Sequence, residues 1–338
     1  MSMGRRIRCL VRFCARASIG AALAVGGGVM PAAAQTVVPT LDVNASDESG
    51  DQHEVETAVY AAPTTLDRIG RVMAPVMVNG QGPFRFILDT GASSSAVSPA
   101  LVAKLGLVPS LSGAMTIQGA TGSEAVPAVL IDRLQAGEIR LENLRLPVVA
   151  SEVFSNADGI LGVEGFDKVR ITIDFVGDRI SIVRALRTKR NIGEWYKVPV
   201  QLRFGRLMIA NASIGKLQVR AVIDTGAERT LGNLALRRAL GLDVAAERAR
   251  GQSQVIGATS AQETAHTLPS PLIHFGQMVI ADVNVTFADL HVFRIWGLDK
   301  EPALVLGMDV LGTPNALVLD YRHGELLLST DAAPVAIR

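Results

Sequence analysis

Short apolar or alternating runs, separated by glycine, proline and asparagine, dominate the chain from about residue 68 onwards. The clearest are Val72 to Val78, Phe84 to Leu88, Val126 to Ile131 and Val169 to Phe175. Runs of this length, bounded by turn residues, are typical of β-strands. Since only one or two stretches have helical spacing, the pattern predicts an all-β protein with few short helices.

The strand pattern occurs twice along the chain. Asp-Thr-Gly-Ala follows an apolar run at residues 89–92 and again at residues 224–227, an offset of 135. The same offset relates four later pairs: Leu101 and Leu236, Leu105 and Leu240, Gly106 and Gly241, Leu107 and Leu242. A shared offset of this kind predicts an internal duplication.

Each half presents the same order of elements. An apolar hairpin leads to Asp-Thr-Gly-Ala, and a short helix ending in Leu-Gly-Leu follows. A Gly turn, a hydrophobic-hydrophobic-Gly element and a closing strand that ends in an acid come next. The Gly turns lie at residues 117–122 and 255–260, the hydrophobic-hydrophobic-Gly elements at 160–162 and 305–307, and the closing strands at 171–175 and 317–321. We therefore expect two similar lobes, residues 66–188 and 189–330, joined near Arg187 to Glu194 and followed by a tail at 331–338.

The repeated aspartate suggests a shared chemical site. An aspartate after an apolar strand and before Thr-Gly lies on a turn at the strand end, where glycine permits a close backbone approach. If the lobes pack about a pseudo-twofold axis, Asp89 and Asp224 meet. Two carboxylates at hydrogen-bonding distance cannot both be ionised, so they share a proton. One can then activate a water molecule as general base while the other protonates a carbonyl oxygen.

These motifs resemble those of the aspartic peptidase clan, which contains pepsin and the retroviral proteases. In detail the chain is most similar to bacterial exported, retropepsin-like aspartyl proteases, here as a two-lobed single chain. The resemblance rests on both Asp-Thr-Gly-Ala motifs with their hydrophobic-hydrophobic-Gly partners, and it covers roughly Arg68 to Leu328. It implies a two-lobed acid-protease β-barrel fold and peptide-bond hydrolysis, with no metal or organic cofactor.

The resemblance also implies a role for each motif residue. Asp89 and Asp224 are the expected catalytic pair. Three pairs are expected to support them: Thr90 and Thr225 through reciprocal hydrogen bonds, Gly91 and Gly226 as N–H donors to the carboxylates, and Gly162 and Gly307 packed beneath the loops. Two short flaps are expected to close over an extended peptide, with tips at Gln118, Gly119 and Ala120 and at Ile256, Gly257 and Ala258.

Two departures from the pepsin pattern change what we expect of the pKa of the aspartate pair and of the flaps. Pepsins carry Ser or Thr after the glycine, where its hydroxyl bonds the neighbouring carboxylate, but this chain has Ala92 and Ala227. Losing that bond raises the pKa of the pair, which predicts activity at mildly acidic or neutral pH. Neither Gly turn carries the flap tyrosine of pepsins, and both halves have such a turn.

The first 34 residues have a different pattern. Five arginines without an acid precede an apolar, Gly-rich run, which ends at Ala32-Ala33-Ala34. This is typical of a secretory signal peptide cleaved before Gln35, and it predicts a periplasmic or secreted protein. The alternative is a retained anchor, for which the run is short, and Arg5-Arg6 leaves Sec or twin-arginine export open. The acidic segment 35–65 lacks an apolar period, which predicts a disordered tether or a pro-segment.

Setting the signal peptide aside changes the composition. It holds five of the 33 basic residues, which leaves 28 against 32 acidic ones, a net charge of −4. Nothing basic then remains to favour nucleic acid. Both cysteines, Cys9 and Cys14, lie in the same segment, so we expect no disulfide, thiol nucleophile or Cys-based metal site. The five histidines lack metal-ligand spacing, and the serines at 93–95 lack a G-x-S-x-G context, so we expect those serines to cap the next helix.

The favoured function is that of an aspartic endopeptidase acting on extended protein segments, as a monomer of two lobes with no stable membrane anchor. A catalytically silent periplasmic peptide-binding module of the same fold is the first alternative, against which the presence of both aspartates argues. An enzyme acting on a cell-wall peptide is the second, and the aromatic content of 4% weighs against a sugar-stacking groove. Trp296, in a late loop, is expected to pack in the core or to line a subsite.

Overall fold

The computed structural model describes residues 61–63, 65–66, 70–149, 154–188, 195–204, 206–242 and 253–330. Within these ranges strands predominate, and each helix has at most six residues. This confirms the predicted all-β class.

The elements divide almost evenly between the two halves. The first half contains the strands β1 (Ala61–Pro63), β2 (Thr65–Leu66), β3 (Val72–Val78), β4 (Gln81–Leu88), β5 (Ala96–Val97), β6 (Ser110–Gln118), β7 (Ser123–Ala136), β8 (Ile139–Pro147), β9 (Gly159–Leu161), β10 (Val169–Asp174) and β11 (Arg179–Arg184). The second half contains β12 (Tyr196–Arg203), β13 (Leu207–Ile214), β14 (Leu217–Ile223), β15 (Leu231–Gly232), β16 (Ser253–Ile256), β17 (Gln262–Pro269), β18 (Ile273–Phe275), β19 (Met278–Ile280), β20 (Asn284–Phe287), β21 (Ala303–Leu306), β22 (Ala316–Asp320) and β23 (Glu325–Ser329). The helices are α1 (Pro99–Lys104), α2 (Leu234–Ala239), α3 (His291–Ile295) and α4 (Met308–Leu311).

The two lobes repeat one arrangement of strands. In the N-terminal lobe the order is β5-β9-β4-β3-β7-β6, with β2 beside β3 and β8 beside β7. In the C-terminal lobe it is β12-β13-β14-β21-β15-β20-β17-β16, with β18 beside β13 and β19 beside β18. In both lobes the strand that leads to Asp-Thr-Gly-Ala lies parallel to the hydrophobic-hydrophobic-Gly strand, as β4 with β9 and β14 with β21. The duplication seen in the sequence is therefore also a duplication of the fold.

The helices after the two motifs are equivalent as well. Ser98 caps α1 by accepting a hydrogen bond from the N–H of Leu101 at 3.1 Å, and Asn233 caps α2 through Leu236 at 2.7 Å. Both leucines are buried in the core. The expected capping role of the serines at 93–95 is wrong, because the helix begins at Pro99 and its cap is Ser98.

A six-stranded part of the larger sheet joins the lobes, in the order β1-β11-β10-β22-β23-β12. At its centre β10 and β22 pair antiparallel, with Thr172 opposite Val318. These two positions are equivalent in the closing strands of the two halves, so the pseudo-twofold axis passes between them. Arg170 and Asp320 form a buried ion pair of 2.9 Å in the same pairing. Since buried strand edges must be hydrogen-bonded, the sheet makes each lobe depend on the other.

The fold begins earlier than the composition predicts. Ala61–Pro63 pairs with β11 and Thr65–Leu66 pairs with β3, although both lie at the end of the acidic segment 35–65. The interpretation as a tether or pro-segment can therefore apply only to residues before 61. Those residues lie outside the described ranges. The predicted signal peptide, residues 189–194 of the linker and the tail also lie outside them. Among the described residues, no helix has the length and apolar character needed to cross a membrane.

Candidate active site

The two Asp-Thr-Gly-Ala loops occupy equivalent places at the interface of the lobes. Asp89 follows β4, and its N–H donates to the carbonyl of Leu161 on the parallel strand β9 at 3.0 Å. Asp224 follows β14, and its N–H donates to the carbonyl of Leu306 on β21 at 3.1 Å. Each hydrophobic-hydrophobic-Gly strand therefore fixes the position of one aspartate, which is why the two motifs occur together in both halves.

The two threonines bind the loops to each other. The hydroxyl of Thr90 donates to the carbonyl of Ile223 at 2.8 Å, and the hydroxyl of Thr225 donates to the carbonyl of Leu88 at 2.6 Å. The Thr90 N–H donates to the Thr225 hydroxyl at 3.2 Å, and the reverse bond is 3.0 Å. Both threonines are fully buried. The reciprocal contact is the one that the resemblance implied.

The two glycines leave space for the carboxyl groups. A Cβ atom added to Gly91 would lie 2.5 Å from Oδ2 of Asp224, and one added to Gly226 would lie 2.5 Å from Oδ2 of Asp89. Each loop therefore approaches the opposite aspartate so closely that only glycine fits. The carboxyl groups themselves meet and hydrogen-bond across the pseudo-twofold axis.

Backbone N–H groups hold each carboxyl group in place. Oδ1 of Asp89 accepts from Gly91 at 2.9 Å, and Oδ1 of Asp224 accepts from Gly226 at 2.9 Å and from Ala227 at 3.2 Å. Both aspartates are half-buried. The second oxygen of each carboxyl group then faces its partner, where one proton can be shared.

The surroundings favour a single negative charge on the pair. Burial raises the pKa of Asp89 above its ordinary value, although the N–H groups of Gly91 and Ala92 oppose the rise. Burial and then the charge of Asp89 raise the pKa of Asp224 to about 8. Asp224 therefore keeps its proton through the mildly acidic to neutral range, so the two carboxyl groups are not both ionised there.

Two further acids brace the loops, and the sequence interpretation missed them. Glu164 accepts from the N–H of Ser95 at 2.6 Å, while Asp309 accepts from the N–H and hydroxyl of Thr230 at 3.0 and 2.8 Å. Burial raises the pKa of both acids. The signal was present, since each acid comes two residues after the glycine of its hydrophobic-hydrophobic-Gly element.

Those two glycines pack closely against the segments that follow the Asp-Thr-Gly-Ala motifs. A Cβ atom on Gly162 would lie 2.5 Å from the carbonyl carbon of Ser94, and one on Gly307 would lie 2.6 Å from that of Arg229. Ser94 and Arg229 are equivalent positions of the duplication. The close backbone approach explains why glycine recurs at both sites.

The two Gly turns are the tips of β-hairpins, the places that were predicted to be flaps. Flap 1 consists of β6 and β7 and flap 2 of β16 and β17. Their tips contact each other through the equivalent threonines Thr121 and Thr259, whose hydroxyl oxygens lie 3.2 Å apart. The Thr121 hydroxyl also donates to the carbonyl of Ala261 at 2.7 Å, and the Ser260 N–H donates to Glu124 at 2.7 Å. The flaps are thus joined at their tips.

Each flap tip reaches the opposite lobe. In flap 1, the carbonyl of Ala120 accepts from the N–H of Val292 at 3.3 Å, and Gln118 Oε1 lies 2.8 Å from His291 Nε2. Both partners belong to α3 of the C-terminal lobe. In flap 2, Ala258 packs on the N-terminal apolar cluster that also contacts Ala92 of the first Asp-Thr-Gly-Ala loop.

The remaining predicted flap residues occupy the same tips. Gly119 and Gly257 each face the other flap, since an added Cβ would lie 3.0 Å from Thr259 in the first case and 3.2 Å from Ala120 in the second. Ile256 is 46% exposed beside the tip. Trp296 does not line the cleft, because it is buried and stacks edge-on against Phe293 at 6.3 Å.

No group of three or more histidine, cysteine, aspartate or glutamate side chains in the described part of the chain is arranged to hold a metal ion.

Comparison with known proteins agrees with this geometry. The sequence model of the aspartyl protease family matches residues 74–164 and 210–310. Each matched range contains one Asp-Thr-Gly-Ala loop and its hydrophobic-hydrophobic-Gly strand. No curated protein matches the chain. Because the two matched ranges together cover more than half of the sequence, the chain belongs to the aspartyl protease family.

Proposed function

We propose that the protein is an aspartic endopeptidase in which Asp89 and Asp224 act as one catalytic pair. The observation that carries the proposal is the meeting of two equivalent carboxyl groups, each held by backbone N–H groups and together favouring a single charge. A metal or covalent intermediate has no part in the proposed reaction.

The proposed reaction uses the shared proton directly. The ionised carboxylate removes a proton from a water molecule, which attacks the peptide carbonyl carbon, while the protonated carboxyl group donates its proton to the carbonyl oxygen. The resulting gem-diol collapses when a proton reaches the leaving nitrogen and the C–N bond breaks. The buried threonine bonds between the loops keep the carboxyl groups in register throughout.

The proposed substrate is an extended protein segment that lies between the flaps and the catalytic loops. Flap strands can bond the backbone of such a segment, and apolar surface beside the tips, including Ile256, can receive side chains. A folded substrate presents no such strand. We further propose that the protein acts after export, as a monomer in the periplasm or outside the cell, on the basis of the N-terminal pattern of charge and hydrophobicity.

A cleavage assay tests the proposal. The chain from Gln35 is incubated with a denatured protein from pH 3 to 8, and fragments are mapped by mass spectrometry. Asp89→Asn and Asp224→Asn are each expected to lower kcat/KM by at least about a thousandfold, because neither role can be filled by an amide. Asp132→Asn makes the same chemical change on an exposed residue of β7 and is expected to retain full activity.

The outcome separates an enzyme from a binding module. Loss of cleavage in both variants, with intact circular dichroism, supports the shared pair. If the wild type is folded and cuts nothing at any pH, the proposal is wrong. Retained binding of the denatured protein would then favour a silent module of the same fold.

A further inference from the structure

The duplication is not symmetric around the catalytic pair. Both halves carry Gly-Arg directly before an apolar strand, at residues 70–71 and 205–206, again at an offset of 135. Arg71 precedes β3 and Arg206 precedes β13. Equivalent residues in equivalent strands are expected to have equivalent neighbours, but these two do not.

The strand register explains the difference. In the N-terminal hairpin Met73 lies opposite Ile87, and continuing by two residues places Arg71 opposite Asp89. Directly opposed residues of an antiparallel pair point to the same face. The Arg71 side chain therefore lies on the face of the sheet that carries the Asp89 carboxyl group.

In the C-terminal hairpin Ile209 lies opposite Val222, and the same continuation places Leu207 opposite Asp224. Arg206 then falls opposite Thr225, on the other face, where it forms an ion pair with Asp167 of the N-terminal lobe. One catalytic aspartate thus faces a cation and the other faces a leucine.

Strand β3 is one residue shorter than its equivalent β13, and this difference produces the shift. Val78 lies opposite Gln81, but Val76 lies opposite Phe84, so Met77 faces the two residues 82 and 83. Strand β4 accordingly has eight residues, where its equivalent β14 has seven. The bulge absorbs that extra residue, so Asp89 keeps the same place in its ladder as Asp224. Arg71, in contrast, lies one place nearer to its hairpin turn than Arg206 does, and it therefore falls opposite Asp89.

The environment makes the charge of Arg71 effective. Arg71 is 2% exposed, and Leu207 is 3% exposed within the apolar cluster of the C-terminal lobe. Charges interact more strongly where water is excluded. Burial is the largest influence on the pKa of Asp89 and raises it, whereas the charge of Arg71 lowers it. On Asp224, after burial, the leading influence is the negative charge of Asp89, which raises the pKa further.

The other ionisable groups around the pair leave this asymmetry in place. Asp224 faces Asp89 from the opposite loop. Tyr321, at the end of β22, is buried, and burial raises the pKa of its phenol, so that it stays neutral. Arg206 acts on Tyr321 but is paired with Asp167.

We propose that Arg71 is a positioning residue that breaks the symmetry of the catalytic pair, so that Asp89 carries the negative charge and Asp224 carries the proton. This inference rests on the proposed function for its mechanistic meaning. Asp89 is then the base that activates water, and Asp224 is the acid that protonates the substrate carbonyl oxygen.

Carboxyl titration by NMR tests the inference without any substrate. The chain is labelled with ¹³C at the aspartate carboxyl groups, and Asp89→Asn and Asp224→Asn identify the two signals. In the wild type the lower titration step is expected to belong to Asp89. Arg71→Leu and Arg71→Gln are expected to raise that step by about one pKa unit, and Arg71→Lys is expected to restore most of the difference.

Arg206→Leu removes the same charge from the equivalent position and is expected to leave the lower step unchanged. In the cleavage assay Arg71→Leu is expected to lower kcat/KM about tenfold on the acidic limb of the pH profile, with little change near neutral pH. A uniform loss at every pH would indicate a structural role only.

Three results would overturn the inference: a lower step that belongs to Asp224, an unchanged step in folded Arg71→Leu and Arg71→Gln, or an equal shift in Arg206→Leu. Failure of the proposed function looks different. In that case the wild type cleaves nothing, while the titration still reports which aspartate holds the charge.

Discussion

At the scale of single residues, the site is a set of paired contacts in which each loop supports the other. Thr90 and Thr225 exchange four hydrogen bonds with the opposite loop, and Gly91 and Gly226 admit the opposite carboxyl group. These roles could be predicted because the motif contains them in consecutive positions. Glu164 and Asp309 could not be predicted as readily, because their partners Ser95 and Thr230 lie about 70 to 80 residues away in sequence.

The raised pKa of Asp224 predicts how the stability of the fold depends on pH. Between about 3.8 and 8 the folded state binds a proton that the unfolded state has lost, so the free energy of unfolding falls as pH rises through this window. Asp224→Asn is always neutral. It is expected to exceed the wild type in stability by at least about 1 kcal/mol at pH 8, since one pKa unit corresponds to about 1.4 kcal/mol, with no difference below pH 4.

Urea unfolding of both proteins at pH 4, 6 and 8 measures this difference. Asp132→Asn serves as the control, because it changes an exposed aspartate of β7. If the free energies of unfolding of Asp224→Asn and the wild type change equally with pH, the prediction is wrong.

The hydrogen bonds that Asp309 accepts lead to a second prediction, on the stability of the fold and on kcat. Asp309→Ala leaves the N–H and hydroxyl of Thr230 without their acceptor, which is expected to reduce the free energy of unfolding by about 1 to 3 kcal/mol. Asp309→Asn keeps one acceptor oxygen and is expected to lose less. Because the same bonds hold the loop after Asp224, kcat is expected to fall with KM nearly unchanged. Urea titration and steady-state kinetics measure both quantities, and equal losses in the two variants would count against this account.

At the scale of elements, the sequence predicts those strands and turns whose conformation depends on neighbouring residues in the chain. Strand β3 has the predicted bounds, and the Gly turns were recognised as hairpin tips. Strand β7 extends beyond the predicted apolar run because its N-terminal part pairs with β6 and its C-terminal part pairs with β8, whatever the polarity of the residues there. Helices α3 and α4, with five and four residues, are too short to show a helical period.

The contact between flap 1 and α3 leads to a prediction about flap closure. His291→Ala removes the partner of Gln118 Oε1, and the tip contact between Thr121 and Thr259 remains. A single hydrogen bond of about 0.5 to 1.5 kcal/mol corresponds to an increase in KM of about twofold to tenfold, with kcat less affected. Gln118→Ala is expected to have the same effect, and the double variant no further one.

Steady-state kinetics and hydrogen exchange of residues 115–124 measure this effect. His274→Ala is the control, because His274 is exposed on β18 and bonds no flap residue. If the two single effects add in the double variant, the contact does not couple the flap to the helix.

At the scale of the whole molecule, the lobes are joined at three levels. The six-stranded sheet joins them through β10 and β22, the threonine bonds join them at the loops, and the flap tips cross at the cleft. Two lobes follow from the repeat in the sequence. The six-stranded sheet and the contact between the flap tips could not be predicted from the repeat. Both depend on partners in the other half, and neither half carries a periodic signal for them. The pairing of β1 with β11 has a different reason: Ala61–Pro63 lies at the end of an acidic segment without an apolar period, and its partner strand comes about 120 residues later.

The difference in length between β3 and β13 has a consequence for how such a protein can evolve. An assembly of two identical chains must place the same side chain beside both of its catalytic acids. A chain that contains both halves is free of that restriction, so one half can keep arginine where the other places leucine. Fusion of the halves therefore permits a division of labour between the acids that a homodimer cannot encode in its sequence.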